Sequence, residues 1–142
     1  MSQNITAKIG IIGMGKMARA MIDPWLDNGL ITKDQLWVLS YKADSDAQWK
    51  RDYGASIAAS VSDLLAAVDW VVLAIKPQQY TRIPSSALNA SQTLISVMAG
   101  IRCERLASDW GTDGSILRIM PNTAIRIQSG TIGLTSHETA NP

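Results

Sequence analysis

Phenylalanine is absent from this 142-residue chain, cysteine and histidine occur once each, and the formal net charge is only +1. Each scarcity excludes something. Cys103 cannot form an internal disulfide and has no partner at metal-ligand spacing, so it reads as a core or near-core thiol, with no metal expected. His137 lies in a stretch without apolar periodicity, so no Ser-His-Asp site is built around it and it reads as a solvated tail residue. Thirteen Lys and Arg against twelve Asp and Glu, without a basic cluster, leave no footprint for a polyanion. No nucleic-acid partner is expected. No apolar run reaches the roughly 18 residues that span a bilayer. The start Met1-Ser2-Gln3-Asn4 also lacks the basic and apolar regions of a signal peptide, so no membrane partner and a cytoplasmic location are expected. Five tryptophans and six methionines supply the large apolar volume that phenylalanine does not.

What is present is ordinary for one globular domain: 46% hydrophobic and 18% charged residues, with no repeat or low-complexity tract. Ala7–Ile12 is an apolar run ending at Gly13, followed by helical spacing of Met17, Ala20, Met21 and Trp25 up to Asn28; Pro24 inside that helix predicts a kink. Leu36–Leu39 reads as a second strand, Ser45–Tyr53 as a helix closed by Gly54, and Ile57–Ala59 as a brief strand. Ser60 or Ser62 caps a helix to about Ala67, and Trp70–Ile75 is a continuous apolar strand stopped at Pro77. Gln78–Asn89, interrupted by Pro84, offers helical turns on either side. Leu94–Met98, Glu104–Trp110 and Ile116–Met120 read as strand, helix and strand, and Thr131–Leu134 as one more strand. Such alternation predicts an α/β, doubly wound, mostly parallel sheet with helices on both faces. The domain is expected over residues 1–135, with 136–142 a tail or the start of a connection.

Gly13-Met14-Gly15-Lys16-Met17-Ala18 fits the dinucleotide pattern G-x-G-x-x-G/A, directly after a strand and opening a helix. The first glycine permits the tight turn, the second lets backbone approach a pyrophosphate, and Ala18 lets the helix pack on the sheet. A glycine turn without a ligand is the alternative. At the end of the second strand stands Ser40-Tyr41-Lys42, where NAD-preferring domains carry a carboxylate for the adenosine ribose. A hydroxyl and an ammonium favour a 2′-phosphate, hence NADP (NADPH) as the cofactor. Asp44 and Asp46 lie just beyond and can swing back, which keeps NAD open. Ala74-Ile75-Lys76-Pro77-Gln78, Ala99-Gly100-Ile101 and Arg118–Thr123 each follow or end a strand, at the edge where open α/β sheets bind ligands.

Those motifs together, G-x-G-x-M-x-x-A, A-x-K-P-Q, S-x-x-A-G-I at Ser96–Ile101 and R-x-M-P-N-T at Arg118–Thr123, resemble the N-terminal NAD(P)-binding, Rossmann-type domain of the pyrroline-5-carboxylate reductase family over about residues 7–135. The resemblance implies a reductase that transfers hydride to the C=N carbon of the small-molecule substrate 1-pyrroline-5-carboxylate, in proline biosynthesis. It places Gly13, Met14, Gly15, Lys16 and Met17 at the pyrophosphate and Ser40 and Lys42 at the adenosine end. Ala74, Lys76 and Pro77 would border the ribose, and Ala99, Gly100 and Asn122 the nicotinamide. No catalytic acid or base is assigned.

Two departures stand out. Ala124 replaces the proline that usually follows the family's M-P-N-T, and the helical dimerisation domain that follows in the family is absent from these 142 residues. The chain is therefore expected to be a shortened or cleaved form of a longer, homo-oligomeric enzyme, nearly inactive alone. A related imine reductase, an F420-linked NADP oxidoreductase and a non-catalytic nucleotide-binding module are the alternatives.

Overall fold

A computed structural model describes residues 4–13, 15–40, 43–111, 113–120 and 133–137. Its strands are β1 (Ile9–Ile12), β2 (Leu36–Leu39), β3 (Ser56–Ile57), β4 (Trp70–Leu73), β5 (Thr93–Ser96), β6 (Ser115–Met120) and β7 (Gly133–His137). They form one sheet in the order β3-β2-β1-β4-β5-β6-β7. The first six are parallel, in the order of the dinucleotide-binding fold, and β7 runs antiparallel to β6. The helices are α1 (Lys16–Asp27), α2 (Ala43–Tyr53), α3 (Val61–Ala67) and α4 (Cys103–Trp110). Among the described residues no helix is long and apolar enough to cross a membrane.

The two faces follow from the period of a strand. Val71 and Leu73 of β4 join a cluster with Leu64 of α3 and Leu106 and Trp110 of α4, while Val72 between them joins Ala18, Ile22 and Trp49 of α1 and α2. Both faces of β4 are thus dry, which is why its sequence is an unbroken apolar run. Each such buried side chain contributes about 1.5–3 kcal/mol. In β1, Gly10 faces α3 so closely that a Cβ would meet Leu64 at 2.8 Å. Trp49 and Trp110 are fully buried, and Cys103 is a buried thiol.

Local signals account for most boundaries. Ser60 caps α3 by accepting from the Asp63 amide at 3.1 Å, and Gly54, at φ +63°, closes α2. Pro24 lies inside α1, and its carbonyl accepts both the backbone and the side-chain N–H of Asn28, at 3.0 and 2.8 Å, where the helix stops.

Three expectations shift. The segment after β4 is one 3₁₀ turn, Pro77–Arg82, followed by irregular chain through Pro84; no helical turn follows the proline. The last strand continues past Leu134 through Ser136 and His137, which pair with Leu117 and Ile116; Thr131 and Ile132, where it was expected to begin, lie outside the described residues. His137 is therefore part of a ladder rather than of a tail. The apolar pattern stops at Leu134, but a strand paired on one side needs backbone partners more than apolar side chains.

Candidate functional site

β1 ends where Gly13 donates its N–H to the Leu39 carbonyl at 3.4 Å and Ala74 donates to the Ile12 carbonyl at 2.8 Å. The ends of β2, β1 and β4 thus lie side by side. Gly13 has φ +114°, and a Cβ there would stand 2.5 Å from the Ala74 carbonyl oxygen. No side chain fits. Gly15 is different in kind: its backbone is extended, φ −82° and ψ −177°, and nothing lies within 4 Å of an added Cβ. Among the described residues nothing requires glycine there, whereas a ligand approaching the backbone would.

Gly15 is also the N-cap of α1, which has no side-chain cap and no acidic residue in its first turn. The first amides of the helix, with the positive end of its dipole, are therefore left for an anion. Lys16 is exposed and Met17 half-buried beside that turn; Ala18 is fully buried against the sheet, as the third small position of the pattern requires. Met14 lies outside the described residues.

A cavity of about 720 Å³ opens over this edge, within the size range of small-ligand sites. Gly13 and Gly15 form its floor, and Leu39, Ser40 and Ser45 contribute from the end of β2 and from α2. Ala74, Ile75, Lys76, Gln79, Arg82 and Ile83 form the wall after β4. Gly13, Gly15, Ser40, Ala74 and Lys76 are therefore brought together as the motifs implied. Pro77 opens the 3₁₀ turn without lining the cavity, and Ala99 and Gly100 are exposed after β5, Gly100 at φ +77°, also outside the lining. Lys42 and Asn122 lie outside the described residues.

Ser45, Gln79, Arg82 and Ile83 are lining residues that sequence reasoning did not single out. The three-residue spacing of Lys76, Gln79 and Arg82 behind Pro77 was the available signal. At the end of β2, the Ser40 hydroxyl donates to the Asp46 carboxylate, so Asp46 does swing back. Among the described residues the lining contains no carboxylate and no histidine; its ionisable groups there, Lys76 and Arg82, are cationic. Such cationic groups suit an anionic ligand.

The wall after β4 is held from behind. Tyr80, buried in the 3₁₀ turn, donates its hydroxyl to Asp109 at 2.7 Å and accepts from Trp110 Nε1 at 3.2 Å. Arg105 Nε meets the same Asp109 carboxylate at 2.8 Å. Burial, and the bond to Asp109, push the Tyr80 hydroxyl well above its ordinary pKa. On the other face, the Arg19 guanidinium lies 5.0 Å from the Trp49 ring centre and 5.4 Å from that of Tyr53, and joins Asp52 at 3.2 Å. Tyr53 donates to Asp23 at 2.6 Å; burial, then that bond, raises its pKa to about 12.

The model of the family described as NADP oxidoreductase, coenzyme F420-dependent, matches residues 8–100. This chain belongs to that family. Among curated relatives of this family member, the pyrroline-5-carboxylate reductase of Escherichia coli (strain K12) is 30% identical over 138 residues, 95% of this chain and 51% of the relative. Pyrroline-5-carboxylate reductase 2 of Bacillus subtilis (strain 168) is 28% identical over 129 residues, 89% of this chain and 46% of the relative. The chain thus spans about half the length of these curated relatives. Among solved structures, 1-pyrroline-5-carboxylate reductase from Streptococcus pyogenes superposes with a TM-score of 0.78 at 36% identity, covering 92% of this chain and 49% of that one. Plasmodium falciparum pyrroline carboxylate reductase with NADP bound shares the fold, with a TM-score of 0.78 at 23% identity over 97% of this chain and 51% of that one. The resemblance read from the motifs is therefore found over nearly the whole chain.

Proposed function

We propose that this chain is the NADP(H)-binding part of a reductase that reduces 1-pyrroline-5-carboxylate to proline. The observation that carries the cofactor reading is Gly15. Its Cβ direction meets nothing among the described residues and lies beside uncapped helix amides, so a phosphate-bearing ligand accounts for its smallness. The groups present fit a dinucleotide. The backbone at Gly13, Gly15, Lys16 and Met17 would take the pyrophosphate, and Ala74, Lys76 and Pro77 would border a ribose. Ala99, Gly100 and Asn122 would border the nicotinamide, with Met14 in the glycine turn and Ser40 and Lys42 at the adenosine. The bound nicotinamide supplies the hydride. This chain's own work is to bind, orient and exclude water on one side of the ring. The names of the relatives support the substrate, and a homo-oligomer is the expected form of a full-length enzyme.

Fluorescence titration tests the cofactor. A charge-assisted phosphate contact is worth about 1.5–3 kcal/mol, so NADPH is expected to bind roughly tenfold or more tightly than NADH at low salt. Lys42→Ala is expected to weaken NADPH and spare NADH. Equal affinities in the wild-type chain would refute the NADP preference. Activity of the longer gene product, followed as NADPH oxidation with 1-pyrroline-5-carboxylate, tests the substrate; oxidation dependent on F420 instead would favour the reaction for which the family is described.

A further inference from the structure

In a 3₁₀ turn, side chains three residues apart stand in line. Lys76, Gln79 and Arg82 have that spacing at and after the start of the Pro77–Arg82 turn, and all three line the cavity. Tyr80 lies on another ridge of the same turn, buried and bonded to Asp109 and Trp110, so the row facing the cavity is set from behind. The row begins and ends in a cation. Lys76 stands two residues beyond Ala74, against which Gly13 packs. Arg82 lies about 12 Å further along the turn, at roughly 2 Å per residue.

The end of β2 raises the need for such a group. Ser40 donates its hydroxyl to Asp46, so a carboxylate is fixed beside the cavity on the side where the adenosine ribose is expected. That arrangement opposes a 2′-phosphate by charge and engages the hydroxyl that would otherwise donate to it. Arg82, by contrast, has no ion-pair partner among the described residues and is exposed to the cavity that Ser40 and Ser45 also line. A guanidinium offers a planar fork of donors suited to a phosphate.

We propose that Arg82 is a specificity-determining residue for the adenosine 2′-phosphate, which it takes from the wall opposite β2. This rests on the reading of the cavity as a dinucleotide site. The contact is solvent-exposed, so its strength falls as salt rises.

The test titrates the 142-residue chain and its R82A, R82Q and R82K variants with NADPH, NADH, 2′,5′-ADP and 5′-AMP, with circular dichroism to verify folding. R82A and R82Q are expected to bind NADPH and 2′,5′-ADP roughly tenfold more weakly, with NADH and 5′-AMP within about twofold of wild type. R82K is expected to be intermediate, because it keeps the charge and loses the fork. Unchanged NADPH affinity in folded R82A and R82Q, with wild type binding NADPH, would overturn the Arg82 assignment alone. Equal losses for NADPH and NADH would also overturn it, since they point to contact with the shared adenosine. A wild-type chain that binds neither dinucleotide would overturn the cofactor reading, and the Arg82 assignment with it.

Discussion

Two glycines two residues apart carry opposite kinds of constraint. Gly13 is required by the fold, because its φ of +114° is one that side chains rarely adopt and a Cβ would stand 2.5 Å from the Ala74 carbonyl. The conformation alone costs a non-glycine residue about 1–3 kcal/mol, and the backbone contact adds to it. Gly13→Ala is expected to lower the melting temperature by roughly 10 °C in a thermal scan. Gly15 meets no such constraint among the described residues, and the proposed ligand is what accounts for it. Gly15→Val should leave the thermal transition within a few degrees of wild type while abolishing NADPH binding in calorimetry. A folded Gly15→Val chain that still bound at wild-type strength would reduce the glycine pattern to a structural turn.

The 3₁₀ turn after β4 works as an element because α4 fixes it. Tyr80→Phe removes the acceptor for the Trp110 Nε1–H, leaving that buried donor unpaired at a cost of about 1–3 kcal/mol, while Asp109 keeps Arg105. Calorimetry should show lower stability, and titration a loss of similar size for NADPH and NADH, because the whole wall shifts. The contact between α1 and α2 predicts a pH dependence. Tyr53 has its pKa raised to about 12 in the folded chain against about 10 when unfolded, so the folded state holds its proton longer. Its contribution is fully present below about pH 10 and is lost as pH rises through 12. Denaturant midpoints measured between pH 8 and 12 should fall across that window, and Tyr53→Phe should flatten the fall. A variant with the same alkaline slope as wild type would show that Asp23 and Tyr53 are not coupled in this way.

For the whole molecule, the proposed reaction needs more than the one cavity wall described. A hydride acceptor must be held about 3–3.5 Å from the donor carbon in a site closed to water. Among the described residues the cavity is lined from the ends of β1, β2 and β4 and not from β5 or β6, so on the proposed reading the nicotinamide end lies open. The 142-residue chain with NADPH and 1-pyrroline-5-carboxylate is therefore expected to turn over negligibly compared with a product the length of its relatives. Stopped-flow or steady-state NADPH oxidation measures the difference, and full activity in the short chain would contradict this account of the substrate site.

Local chemistry made the strands, caps and glycine turn legible in the sequence. An apolar run flanked by Gly or Pro, as at Trp70–Leu73 before Pro77, carries its own boundaries, and Ser60 and Gly54 mark helix ends through their own backbone preferences. The parallel order followed, because alternating strands and helices leave few right-handed solutions. Other features depended on how the chain is shaped where one element meets the next. Asp46 meets Ser40 only because α2 begins at the end of β2, and Arg82 reaches the cavity only because a 3₁₀ rather than an α-helical period follows Pro77. β7 runs antiparallel to β6, a direction that its own residues do not announce. The apolar pattern of a segment records which side is buried, whereas the occupant of the facing space is decided by register and packing across the sheet.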